Sequence, residues 1–126
     1  GEHASTFGGN LVTTAVASTV LDEIERRKLT ERAARNGEYF KRSITKLKKS
    51  RKSIIEARGM GYLLGMQINF PAREMINALI ERNIIAIPAG ENVLRLLPPL
   101  IAEKKHFDIV IKAIDEILAE REKNEK

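Results

Sequence analysis

The stretch that decides the fold is Tyr62-Leu63-Leu64-Gly65-Met66-Gln67-Ile68-Asn69-Phe70, in which Tyr62, Leu64, Met66, Ile68 and Phe70 alternate strictly with other residues. A repeat of two is the signature of a strand with one buried face, because successive side chains point to opposite sides of a sheet. The segment before it repeats differently. Ala33, Gly37, Phe40, Ile44 and Leu47 step by four and three, which predicts a helix capped by Thr30 and running toward Ser50. Its small residues lie at one end of the stripe and predict close packing there.

Working outward, Leu11, Val12, Ala15, Val16, Val20 and Ile24 predict an earlier helix, with Asn10 as its cap and an end near Lys28. Ile54 to Arg58 is a short β-like run, followed by a turn or bulge at Gly59-Met60-Gly61. Beyond the central strand, Pro71 fits the first turn of a helix whose stripe is Met75, Ile76, Leu79 and Ile80. Ile84 to Pro88 and Val93 to Leu97 are two further strands, and Ala89-Gly90-Glu91-Asn92 between them makes a hairpin turn. Pro98-Pro99 stops the last strand. A final helix carries Phe107, Val110, Ile111, Ile114, Ile117 and Leu118, and a tail from Glu120 to Lys126 is expected to fray. The order predicts an α+β fold, a small antiparallel sheet of three to four strands covered on one face by helices, preceded by a loop and a long helix. Residues 1–28 form the loop and connecting helix, and 29–126 the small α+β domain.

The 126 residues suffice for one core. No apolar run approaches the roughly 20 residues needed to cross a bilayer, so no membrane role is expected. Absence of cysteine leaves neither disulfides nor thiolate metal sites, which fits a reducing cytoplasm. The start lacks a signal peptide and an initiating Met and falls in a Gly/Ser/Thr-rich loop, as a cut inside a longer protein would leave it. The net charge of +5 is concentrated between Lys41 and Lys52. Ile44 and Leu47 continue a helical stripe through that run, so its cations are read as a solvated helix face. The alternative is a basic α+β module binding nucleic acid, though no aromatic lies between Lys41 and Lys52 to stack on bases.

Three segments bear on chemistry. Ser5-Thr6-Phe7-Gly8-Gly9-Asn10 sets two hydroxyls and a glycine pair before a helix, a composition that suits a phosphate. The same residues also suit a plain capped turn. Arg58-Gly59-Met60-Gly61-Tyr62-Leu63-Leu64-Gly65 fails as a dinucleotide fingerprint, because its third glycine arrives one position late and it runs into a strand. Arg95 sits in the otherwise apolar Val93-Leu94-Arg95-Leu96-Leu97. Its planar fork would clamp a carboxylate, while simple alternation would point it to solvent. His3 and His106 lie in no metal-ligand pattern, and no Ser/His/Asp set is apparent.

Gly1-Glu2-His3-Ala4-Ser5-Thr6-Phe7-Gly8-Gly9-Asn10 resembles the Gly-x-His-Gly-Ser-Thr-Phe-Gly-Gly-Asn-Pro-Leu motif of class III aminotransferases of the acetylornithine/ornithine type, and Ala89 to Leu100 resembles their substrate-arginine segment. Ala4 replaces a glycine of the motif, and Leu11 stands where proline is usual. The resemblance covers essentially the whole chain and implies the C-terminal small domain of a fold-type I enzyme. It implies pyridoxal 5'-phosphate as cofactor and a homodimer in which Thr6, with Ser5 beside it, reaches the phosphate held by the partner subunit. Arg95 then binds the α-carboxylate of amino-acid and 2-oxo-acid substrates, and Arg58 to Gly65 is structural. The implied reaction moves an amino group between N-acetylornithine, or a similar ω-amino acid, and 2-oxoglutarate, in arginine or lysine biosynthesis. In the family the lysine that holds the cofactor, the aspartate on its ring nitrogen and the stacking aromatic all precede the Ser-Thr motif. The chain is therefore expected to contribute no catalytic residue and to be inactive alone.

Overall fold

In the computed structural model, which describes residues 4–124, the alternation of Tyr62 to Phe70 is realised as strand β2, Leu63–Ile68, with Tyr62, Leu64, Met66, Ile68 and Phe70 all buried. The hairpin partner β1, Ile54–Met60, pairs antiparallel with β2, and the register shifts between Ile54 and Glu56. Helix α3, Ala72–Ile80, then carries the chain across the sheet. The short β3, Ile87–Pro88, returns through a hairpin into β4, Val93–Leu96, which docks against β2. The strand order is β1-β2-β4-β3, antiparallel throughout.

One face of this sheet is covered. Helix α2, Leu29–Leu47, buries Leu29, Ala33, Gly37, Phe40 and Ile44, the predicted stripe apart from the half-buried Leu47. Helix α4, Lys104–Asn124, buries Phe107, Ala113, Ile114, Ile117 and Leu118. The Phe107 ring packs against Phe40 and Tyr62, with centroids 6.2 and 5.2 Å apart. Small residues in α2 bring it close to the β1–β2 turn, as expected: a Cβ on Gly37 would lie 2.0 Å from the Gly61 carbonyl oxygen. Gly61 itself turns the hairpin at φ +52, a left-handed conformation that favours glycine.

Helix α1, Leu11–Arg26, buries no residue. Its stripe forms as predicted, yet Leu11, Val12, Val16 and Val20 are all exposed within this chain.

Several boundaries differ from the sequence reading. Helix α1 stops at Arg26, and Lys28 in the left-handed region starts α2 without a side-chain cap; Thr30 instead hydrogen-bonds Glu31. Pro71 occupies the cap position of α3, not its first turn, and Ile80 is exposed. The strand expected over Ile84 to Pro88 shrinks to two residues, because the Ile84 N–H closes back on the Leu79 carbonyl and Asn83 adopts φ 58 to leave the helix. Leu97 lies beyond β4.

The expected fraying after Glu120 does not occur up to Asn124. Three links hold that end down: Arg82 to Glu120, Glu74 to Arg121, and Ser53 to Glu122.

The basic run is largely the solvated face expected, but two of its lysines also reach back to the sheet. Lys41 Nζ donates to the Gly59 carbonyl and Lys48 Nζ to the Ile55 carbonyl, so α2 supplies donors to the backbone of edge strand β1. Arg51 bonds Asp115 at 2.7 Å. Arg42, Lys46, Lys49 and Lys52 remain exposed.

Candidate functional site

The Ser5–Asn10 segment is a turn that closes on itself. The Gly8 N–H donates to the Ser5 carbonyl at 3.3 Å, and the Asn10 side-chain amide donates to the Phe7 carbonyl at 2.6 Å. The Asn10 Oδ1 accepts from the N–H groups of Val12 and Thr13, at 3.1 and 3.0 Å. This is a full N-cap. It separates the two readings of the segment residue by residue. Asn10 is the capping residue, whereas the hydroxyls of Ser5 and Thr6 enter no hydrogen bond among the described residues and stand exposed. Asn10 also consumes two of the helix-end N–H groups an anion could have used, which leaves the hydroxyls and the turn as the open donors.

Arg95 lies at the middle of β4, with Gly65 of β2 on one side and Ile87 of β3 on the other. Alternation does put it on the face opposite the helices, since Leu94 and Leu96 point into the core. It is nevertheless only half exposed, and its Nε is buried with no hydrogen-bond partner. No acidic side chain pairs with it among the described residues. The neighbouring guanidinium is different in kind: Arg58 donates to Glu56 at 3.3 Å and to Gln67 at 3.0 Å, so it is neutralised where it stands.

A depression of about 260 Å³ opens beside Arg95, walled by Arg58, Leu63, Gly65, Ala89 and Val93. A guanidinium with an unpartnered buried N–H over a mostly apolar floor is a ready receptor for a carboxylate, whose two oxygens match two parallel N–H bonds. Ser5 and Thr6 contribute nothing to this depression, so the chain holds two separate candidate contacts.

His106 caps the start of α4, its Nδ1 accepting from the Glu103 N–H at 2.9 Å; His3 lies outside the described residues. Among the described residues there is no group of three His, Cys, Asp or Glu side chains that could hold a metal, and no helix long and apolar enough to cross a membrane.

A family model for class-III aminotransferases matches residues 1–118, which takes in both the Ser-Thr turn and Arg95. The chain belongs to the class-III aminotransferases. It is similar to the acetylornithine aminotransferase of Methanocaldococcus jannaschii, with 33% identity over 98% of this chain and 31% of that protein. Among solved structures it is similar to acetylornithine aminotransferase from Elizabethkingia anophelis, with TM-score 0.86 and 36% identity over 95% of this chain and 33% of the other. It is similar also to an ornithine aminotransferase from Toxoplasma gondii, with TM-score 0.86 and 30% identity over all of this chain and 31% of the other; that structure has partial occupancy of pyridoxal phosphate at its active site. This class-III aminotransferase chain thus spans about a third of the length of the relatives it matches, in their C-terminal part. The sheet, its helices and their order match the same region of those enzymes.

The sequence reading proposes Ser5, Thr6 and Arg95 but not the surroundings that distinguish Arg95 from Arg58. That contrast depends on which side chains the strand register brings alongside, which no local pattern contains. Class-III aminotransferases use pyridoxal phosphate. The described residues fit one end of that group: two uncommitted hydroxyls on an exposed turn suit a phosphate.

Proposed function

We propose that this chain is the carboxylate-clamping and phosphate-reaching part of a transaminase that moves an amino group between N-acetylornithine, or a similar ω-amino acid, and 2-oxoglutarate, in arginine or lysine biosynthesis. The observation that carries the reading is Arg95, a half-buried guanidinium whose Nε has no partner, standing over an open depression.

Pyridoxal phosphate, when bound, stores the amino group between the two half-reactions and draws off the electrons of the substrate carbanion. The chain's own residues do the positioning. Arg95 donates two N–H groups to the α-carboxylate shared by glutamate and 2-oxoglutarate, which fixes the orientation of the α-carbon. No acid pairs with Arg95 among the described residues, so the substrate need not displace one of them. Thr6, assisted by Ser5, donates its hydroxyl to the phosphate held by the partner subunit of a homodimer. Asn10 holds the turn in shape through its bonds to Phe7, Val12 and Thr13 without spending either hydroxyl.

The reading gives none of the described lysines the covalent role. Lys41 and Lys48 are bound to carbonyls of β1, Lys104, Lys105 and Lys112 pair with acids on the surface, and Lys28, Lys46, Lys49, Lys52 and Lys123 stand exposed. The chain alone is therefore expected not to transfer amino groups.

The names of similar proteins support N-acetylornithine as the first donor to try, with ornithine next. Steady-state kinetics on the full-length protein with pyridoxal phosphate and 2-oxoglutarate test this. The highest kcat/KM is expected with N-acetylornithine. Absence of transfer from every ω-amino donor would overturn the transaminase reading, and a strong preference for another donor would overturn the substrate alone.

A further inference from the structure

Gly65 occupies the middle of β2, paired with Arg58 of β1 on one side and Arg95 of β4 on the other. Directly opposed residues on neighbouring strands share a face, so all three belong to the exposed side of the sheet. Nothing in the backbone requires glycine at this place. Gly65 is not among the residues with positive φ, and a Cβ built on it would meet Val93 Cγ1 at 3.6 Å and Arg58 Cγ at 3.8 Å, both ordinary contacts. Gly37 is the contrasting case, where a Cβ would strike backbone at 2.0 Å.

A glycine inside a strand weakens it, since the unfolded chain has more freedom to lose and no side chain packs against its neighbours. Gly65 therefore costs stability at a site that would accept a side chain without strain. What the missing side chain leaves is space, and that space is part of the depression beside Arg95.

We propose that Gly65 is a specificity-determining residue that keeps open the room in which the substrate carboxylate meets Arg95. The inference rests on the reading of Arg95 as the carboxylate clamp and adds the steric condition under which the clamp works. Opposed Cβ atoms on paired strands lie about 4.5–5.5 Å apart, so a methyl or isopropyl group at position 65 would stand against the Arg95 stem, where an incoming carboxylate must fit. Arg58 cannot swing aside to restore the volume without giving up its bonds to Glu56 and Gln67.

The test uses the full-length enzyme with Gly65→Ala, Gly65→Val and Arg95→Ala. It reads KM and kcat for 2-oxoglutarate, the inhibition constant of glutarate, which carries two carboxylates and no oxo group, and the Tm of each variant. Gly65→Ala is expected to raise KM by about tenfold, the low end of what one added carbon group produces in a shaped pocket, and Gly65→Val, which adds three carbons, by more. The glutarate constant should rise in parallel, kcat should change by less than about twofold because binding and not the chemical step is obstructed, and Tm should hold or increase. Folded Gly65→Val with the parental KM and glutarate constant would overturn the proposal. Should that variant fail to fold, the same result with Gly65→Ala overturns it. An unchanged KM in Arg95→Ala would instead overturn the clamp itself, so the two failures are distinguishable.

Discussion

The two faces of the four-stranded sheet are built from the same strands with opposite chemistry. On the covered face Leu64, Met66, Leu94 and Leu96 share one core with residues of α2, α3 and α4 and are almost wholly withdrawn from solvent. On the other face the alternate residues of β1, β2 and β4 are Arg58, Gly65 and Arg95, a row that includes a gap, a neutralised cation and an unpartnered one. The difference teaches how labour is divided. Burial against helices holds the strands in register, and that register places a guanidinium where no acid among the described residues pairs with it. Substitutions on the covered face should damage folding, and those at Arg95 should damage chemistry.

The largest effect is expected for Gly37→Ala, at the contact that seats α2 on the sheet. The new methyl has no room beside the Gly61 carbonyl, so α2 must lift, at about 4 kcal/mol or more. Urea unfolding of the full-length protein, or loss of its soluble yield, measures this; wild-type stability would mean the helix seating is not what the covered face depends on. Next is Met66→Ala, which empties a fully buried position and should cost about 2–5 kcal/mol by the same measurement.

Arg95→Ala is expected to reverse the pattern. In the full-length enzyme kcat/KM should fall on the order of 100-fold, about 2.7 kcal/mol of transition-state binding, while stability changes by less than about 1 kcal/mol. A large loss of stability without loss of activity would abolish the contrast between the faces.

The smallest effect concerns pH. Asp108 on α4 is held below the ordinary aspartate value of 3.8, first by the hydrogen bond from Tyr39 on α2 and then by Lys104. A carboxylate depressed in the folded state contributes stability that is present above its unfolded pKa and is lost as pH falls through its folded pKa. Because Asp108 is exposed, the contribution is small and screened by salt. Tyr39→Phe should lower stability slightly at neutral pH, where the contribution is present, and flatten the loss of stability on acidification below about pH 4; an unaltered acid limb would show that this link between the covering helices carries no weight.

Much of this was legible in the residues. The period-two run of Tyr62 to Phe70, the four-and-three stripe of α2 and the capping role of Asn10 read directly, because each expresses local geometry repeated along the chain. The misreadings have local and long-range causes. Ile84 to Ala86 has β-branched residues suited to a strand, yet those residues are used to leave α3. Thr30 is a good cap on local chemistry but lies inside a helix that Lys28 starts. Lys41 and Arg51 look like free surface charge until β1 and α4 are brought against them. For the cations a partner on another element overrode a local preference, whereas Ile84 and Thr30 are set by Leu79 and Lys28 close by in sequence. Helix α1 shows the converse: its stripe is sound, but a stripe announces only that something apolar is to be met, and within this chain α1 buries nothing.

By itself the sequence determined the helices, the buried side of the central strand, the hairpins and the family, since periodicity and motif spacing are properties of neighbouring residues. Only the tertiary structure decided that β4 lies between β2 and β3, that Arg58 is neutralised while Arg95 is not, and that Gly65 faces the gap between them. Those facts follow from strand order and register. Both are set by long-range burial, where a shift of one residue would turn Arg95 into the core and Leu94 and Leu96 out of it.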